Sequence, residues 1–145
     1  MRPPRGRAAT GAVVIRRPVH DVYRFYRDFA NLPRFLGDVV AVVPVADGSY
    51  RWVVAGPFGT RVTMLITVTE ERADRLLRYR TSGPPLLRGR WQLTFAPAGG
   101  GTRVTERLVV PLGPLGRAGL ALVGKHPARE VADNLTALKN LLEAP

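Results

Sequence analysis

The sequence predicts an α+β fold, an antiparallel sheet of about seven strands covered by a long C-terminal helix, with two short helices after the first strand. Three observations predict it. Between Val39 and Val110, apolar residues recur at alternate positions in segments separated by turn residues, the mark of strands with one buried face. From Pro127 to Glu143 the spacing changes: Val131, Leu135, Leu138 and Leu142 fall three or four apart, on one stripe of a helix. The connections between strands are short, so sequential strands pair antiparallel, and their one apolar face needs the terminal helix as a cover.

Taken in order, Val13, Val14 and Ile15 form a first strand, ended by Arg16-Arg17-Pro18. Pro18 has the φ of a first helical turn. Val19, Val22, Tyr26 and Phe29 then make one apolar stripe, predicting a helix from about Pro18 to Phe29. Asn31 is placed to cap a second, very short helix, with Pro33 in its first turn and Phe35 and Leu36 as apolar contacts. Asp47-Gly48 turns Val39–Val45 back on Ser49–Ala55, and Gly56-Pro57-Phe58-Gly59 makes the next reversal. In Thr60 to Thr69, Val62, Met64, Ile66 and Val68 share a face, with Leu65 out of phase. Leu77 and Tyr79 repeat the alternation, as do Trp91, Leu93 and Phe95; Gly99-Gly100-Gly101 joins the last to Arg103–Val110. Residues 1–10 read as a flexible basic tail and 11–145 as a single domain with no internal repeat.

Composition narrows the function classes. A chain of 145 residues with 46% hydrophobic and 23% charged residues suits one globular core rather than disorder. The absence of cysteine excludes disulfides, thiolate nucleophiles and sulfur-ligated metals. A net charge of +11 is nearly all arginine, since the lysines are Lys125 and Lys139. Such a charge attracts polyanions without identifying one. Ala12 to Ile15 is too short for a secretory core and Ala118 to Gly124 too short to span a bilayer, so a cytoplasmic protein is expected.

The stretch from Arg17 to Leu36, RPVHDVYRFYRDFANLPRFL, resembles the first-helix motif of the START-like (SRPBCC) superfamily, particularly its polyketide cyclase/dehydrase and coenzyme-Q-binding branches. Trp52-Val53-Val54, Thr69-Glu70-Glu71-Arg72, Phe95 to Val104 and the pattern His126-Pro127, Leu135, Leu138-Lys139, Leu141 are similar to later parts of that pattern, so the resemblance runs from Val13 to Glu143. It implies a helix-grip fold, in which a curved sheet wraps the last helix and leaves an apolar cavity between them. Its members include lipid carriers, polyketide cyclases, hydrolase activators and a ribosome-binding toxin, so fold does not fix activity.

Within such a fold the inward face supplies the ligand-binding candidates: Tyr50, Trp52, Met64, Ile66, Tyr79, Trp91, Leu93, Phe95 and Leu108, joined by Phe35 and Leu120. Glu106 lies between Val104 and Leu108 in phase with that face. An ionised carboxylate there is costly to desolvate. Either it enters the interior with a raised pKa and a hydrogen-bond partner, Tyr79 or Tyr50 being able to supply a hydroxyl, or it sits near the mouth and pairs with an arginine. Inside, Glu106 and Tyr79 are the candidate catalytic pair for moving protons on a polyketide-like substrate. No metal or cofactor is expected, because His20 and His126 stand apart with no ligand spacing. There is no Gly-x-Ser-x-Gly elbow, and Gly99-Gly100-Gly101 lacks the ending of a phosphate loop. Gly113, Gly116 and Gly119 recur every three residues and could let their segment pack closely or gate the cavity.

The leading expectation is therefore a protein that holds a small hydrophobic molecule (lipid, polyketide or isoprenoid), with cyclisation or dehydration as the reaction if it is an enzyme. The rival uses Arg51, Arg61, Arg78, Arg80, Arg90, Arg103 and Arg107, which alternate away from the core, to bind RNA, a ribosome or an anionic membrane.

Overall fold

The computed structural model describes residues 8–82, 88–110 and 126–145. In chain order it contains β1 (Ala8–Ile15), α1 (Val19–Arg27), a 3₁₀ helix (Phe29–Arg34), β2 (Val39–Ala46), β3 (Ser49–Ala55), β4 (Arg61–Arg72), β5 (Leu76–Ser82), β6 (Gly89–Ala98), β7 (Gly101–Val109) and α2 (Pro127–Glu143). The strands form one antiparallel sheet in the order β1-β7-β6-β5-β4-β3-β2. The helices cover its inner face in a helix-grip arrangement. Among the described residues no helix is long and apolar enough to cross a membrane.

β1 begins at Ala8, well before the strand expected at Val13, so the last three residues of the expected tail are sheet. Alanine and glycine give this stretch a weak strand signal. Pairing decides instead: β1 is in register with β7 from Ala8↔Val109 to Ile15↔Thr102. The small residue at position 11 is also required, because a Cβ on Gly11 would lie 3.0 Å from Val131 Cγ1 and 3.3 Å from Leu135 Cδ1. α2 thus docks on β1 where β1 has least bulk. Its C-terminal end is fixed there by Lys139 Nζ donating to Val14 O at 2.7 Å and Arg17 Nε donating to Leu142 O at 2.6 Å.

The first helix is shorter than its stripe predicts. Asp28 leaves helical geometry and its side chain accepts from Ala30 N at 3.2 Å, the capping role expected of Asn31. Asn31 lies inside the 3₁₀ helix and donates to Phe25 O at 3.0 Å, holding the two helices together. Phe29 consequently turns under the sheet, its ring against Tyr50, Trp52 and Tyr79.

The parity of the strands is as expected from β3 to β7. Trp52, Val54, Met64, Ile66, Leu77, Tyr79, Leu93, Phe95, Val104, Leu108 and Val110 are buried, Tyr50, Val62, Val68 and Trp91 are half-buried, and Leu65 is exposed. The β6–β7 reversal is closed by Gly99 and Gly100, both at positive φ. Gly101 is needed for a different reason, since a Cβ there would stand 2.2 Å from the Ile15 carbonyl oxygen. Gly101→Ala is expected to push β7 off β1 and lower stability by about 1–3 kcal/mol, read from the urea midpoint. A midpoint equal to that of the parent would show that β1 does not pass that close.

Candidate functional site: a cavity beneath the sheet

Between the sheet and α2, whose later turns are anchored to β1, lies a cavity of about 430 Å³. The walls come from the sheet (Val39, Trp52, Val54, Met64, Tyr79, Trp91, Glu106, Leu108), from the segment between the 3₁₀ helix and β2 (Phe35, Leu36) and from α2 (Val131, Asn134, Ala137). Exposed Gly37, Asp38, Arg88 and Asp133 belong to the same lining and mark where it opens to solvent.

Seven of the candidate ligand residues line this space: Phe35, Trp52, Met64, Tyr79, Trp91, Glu106 and Leu108. Four do not. Ile66 and Leu93 are fully buried in the core, and Phe95 packs under α1 with its ring 5.3 Å from Tyr23 and 6.4 Å from Tyr26. Tyr50 turns away, its hydroxyl accepting from Arg27 at 2.9 Å. Leu120 and the segment of Gly113, Gly116 and Gly119 lie outside the described residues. Val54, on the inward face by strand parity, and Val131, on the apolar stripe of α2, also form the wall. Asn134 and Ala137 are wall residues that the sequence reading does not single out.

Glu106 is inside, only 2% exposed, which overturns the alternative of a mouth carboxylate paired with arginine. Its register partners are Leu93 on β6 and Gly11 on β1, which bring no charge. The partner is one the strand pattern could not show: Tyr26 of α1 donates its hydroxyl to Glu106 Oε1 at 3.4 Å and lies 2.9 Å from the Tyr79 hydroxyl. With Tyr26 donating to the carboxyl, Tyr79 donates to Tyr26, and a chain Tyr79–Tyr26–Glu106 results. Burial pushes the Glu106 carboxyl up to about 7, the Tyr26 hydrogen bond opposing and the Glu130 charge adding to the rise. Burial likewise raises both phenols well above their usual range, so the two tyrosines stay neutral while Glu106 changes charge near neutrality.

The aromatic walls surround this chain. Tyr79 stacks on Trp91 with ring centroids 5.4 Å apart and planes 5° from parallel, and Trp52 tilts against Tyr79 at 5.8 Å. Among the described residues, two buried side-chain polar atoms have no hydrogen-bond partner, Trp52 Nε1 and Glu106 Oε2, and both side chains line the cavity. On the opposite face of the sheet all seven outward arginines are exposed, with Arg78 bound to Glu70 at 2.7 Å and to Gln92 at 2.9 Å. His20, expected to lie off the apolar stripe, meets Asp74 at 3.0 Å on the surface.

Comparison with known proteins agrees with this architecture. A Thermus thermophilus protein is 26% identical, with a TM-score of 0.75 over 95% of this chain and 98% of its own. A Deinococcus radiodurans protein is 24% identical at a TM-score of 0.71, covering 94% and 98%. The di-domain ARO/CYC StfQ from the steffimycin biosynthetic pathway shares the fold at a TM-score of 0.75 and 14% identity, with 94% of this chain on 50% of that one. No curated protein matches the chain. The sequence model of one family, described as polyketide cyclase / dehydrase and lipid transport, matches residues 7–143, and the chain belongs to that family, within the START-like superfamily.

Proposed function

We propose that this protein binds a small hydrophobic molecule, a lipid, polyketide or isoprenoid, in the cavity between sheet and α2, and that Glu106 is the group that moves a proton on it. The observation that carries the reading is the conjunction of a half-enclosed apolar space of about 430 Å³ with one carboxyl that titrates near neutrality inside it. The volume falls in the range of small-molecule sites. A carboxyl poised at about 7 is matched to either direction of proton transfer at physiological pH.

For cyclisation or dehydration of a polyketide-type chain, the apolar walls would fold the substrate so that its reacting carbons approach; the Glu106 carboxylate would take a proton from the carbon beside a carbonyl and return it to the oxygen of the carbonyl that this carbon attacks or, in a dehydration, to the hydroxyl that departs as water. Tyr79 borders the reacting space, and Tyr26 steadies the carboxylate by its hydrogen bond. Native mass spectrometry of the protein purified from its own host tests the binding reading, because a co-purifying apolar molecule identifies the cargo, and its absence in every preparation counts against it. For the catalytic reading, Glu106→Gln is expected to abolish turnover even at cargo concentrations that saturate the variant's cavity. Unchanged turnover would remove Glu106 from the reaction.

A further inference from the structure

The two unpartnered atoms, Trp52 Nε1 and Glu106 Oε2, constrain the chemistry of whatever fills the cavity. Both atoms are already closed off from water although their side chains border the cavity, and an unpaired buried polar group is among the more costly defects a protein interior can hold, so a ligand whose polar groups reach them by small side-chain rotations relieves that cost. The indole N–H donates and cannot accept, so the ligand faces Trp52 with an acceptor. Oε1 of Glu106 already receives the Tyr26 hydroxyl, so Oε2 is the atom left for the ligand. An ionised carboxylate accepts only, and therefore asks the ligand for a donor.

Each simple functional group can be held against these two demands. An ammonium satisfies Glu106 but offers Trp52 no acceptor. A carboxylate satisfies Trp52 but sets two like charges together where water is scarce. A ketone or ether satisfies Trp52 and meets Glu106 only while Glu106 carries a proton. A hydroxyl both donates and accepts, so it suits either protonation state of Glu106 and either atom.

We propose that the cavity selects an apolar molecule bearing a hydroxyl group, whose O–H donates to Glu106 Oε2 while an oxygen of the same or a neighbouring group accepts from Trp52 Nε1. The inference rests on reading the cavity as the ligand site and adds to it the class of molecule. Trp52 and Glu106 are then specificity-determining residues, one reading oxygen and the other reading its hydrogen. The titratable groups packed around Glu106 are Tyr26 from α1, Tyr79 from β5 and Glu130 from α2, and the lining also holds Asp38, Arg88 and Asp133 at its opening. The two tyrosines remain neutral throughout, so a change of selectivity near pH 7 reports Glu106.

Three probes of similar shape separate the terms: 2-methylnaphthalene, which neither donates nor accepts, 2-methoxynaphthalene, which accepts only, and 2-naphthol, which does both. Binding of each to the full-length protein is measured by titration calorimetry at pH 8 and pH 5.5. At pH 8, 2-naphthol should bind about 10- to 100-fold more tightly than its methyl ether, the size of one hydrogen bond to a charged group. At pH 5.5 the neutral carboxyl donates to the ether, and the preference should shrink to within about threefold. Trp52→Phe should weaken both oxygenated probes about tenfold more than it weakens 2-methylnaphthalene, whose change reports the lost wall contact alone. Glu106→Leu should erase the preference for the hydroxyl at pH 8. So should Glu106→Gln, a near-isosteric change whose amide offers both a donor and an acceptor. Equal binding of 2-naphthol and its ether at pH 8, or a preference that survives both Glu106 variants, overturns the proposal while the cavity stands as a ligand site. Failure of all three probes to bind overturns the cavity reading itself.

Discussion

Glu106→Gln is expected to raise the stability of the folded protein by about 3 kcal/mol at pH 8 and to change it little at pH 4.5. The carboxyl moves from 4.5 in the unfolded chain to about 7 in the fold, and each pH unit of such a gap corresponds to about 1.4 kcal/mol. The cause is loss of water: Glu106 is 2% exposed and has one long hydrogen bond from Tyr26 to set against that loss. The sign follows from where the proton sits. Between pH 4.5 and about 7 the folded protein holds a proton that the unfolded chain has released, so folding is favoured most at low pH. This group's contribution then declines as pH rises through that window and is level above it. Glutamine keeps the shape and has no charge to desolvate. Urea unfolding of both proteins from pH 4.5 to pH 8 gives the answer as a difference, which cancels the titration of carboxylates common to both. Parallel curves with a constant offset would mean that the Glu106 carboxylate is solvated or paired, and the cavity would lose its proton-moving group.

A side chain that costs the fold this much at neutral pH is one for which packing provides no explanation. Its neighbours in phase, Val104 and Leu108, are the residues a core position ordinarily takes. The out-of-pattern carboxylate is therefore visible in the sequence, because a strand's period of two assigns each side chain to a face with no further information. Its environment is not. Tyr26 lies on another element and on an apolar stripe, and a stripe says only that a residue faces inward, not that its hydroxyl ends beside a carboxyl from β7. The same limit applies to the walls. Parity puts Trp52, Met64, Ile66 and Leu93 on one face alike, but which of them border the cavity and which fill the core depends on the curvature of the sheet and the path of α2, and neither is written in a local pattern. The start of β1 is hidden for a related reason. Ala8, Ala9 and Gly11 have little strand preference, and it is pairing to β7, with Gly11 leaving room for α2, that makes this stretch sheet.

The largest functional effect is expected from filling the space without touching its polar atoms. Ala137 is half-buried on α2 and lines the cavity, and the next residue, Leu138, is fully buried in the core. Ala137→Trp places an indole where a ligand would lie, so binding of the cargo or of 2-naphthol should fall at least about 100-fold, the loss of most of a small-molecule site's contact area. The fold should tolerate the change or gain up to about 2 kcal/mol, because the new ring covers apolar wall instead of displacing it. Leu138→Ala should do the reverse, costing about 2–5 kcal/mol through a void in the packed core while leaving the cavity's own lining in place. Urea unfolding and titration calorimetry on the two variants thus separate hollow from solid at adjacent positions. If Ala137→Trp instead destabilises the protein as severely as Leu138→Ala, the volume beneath the sheet is already filled. If it folds well and still binds, the ligand lies elsewhere. Either result removes the physical basis for a hydrophobic cargo held between sheet and helix.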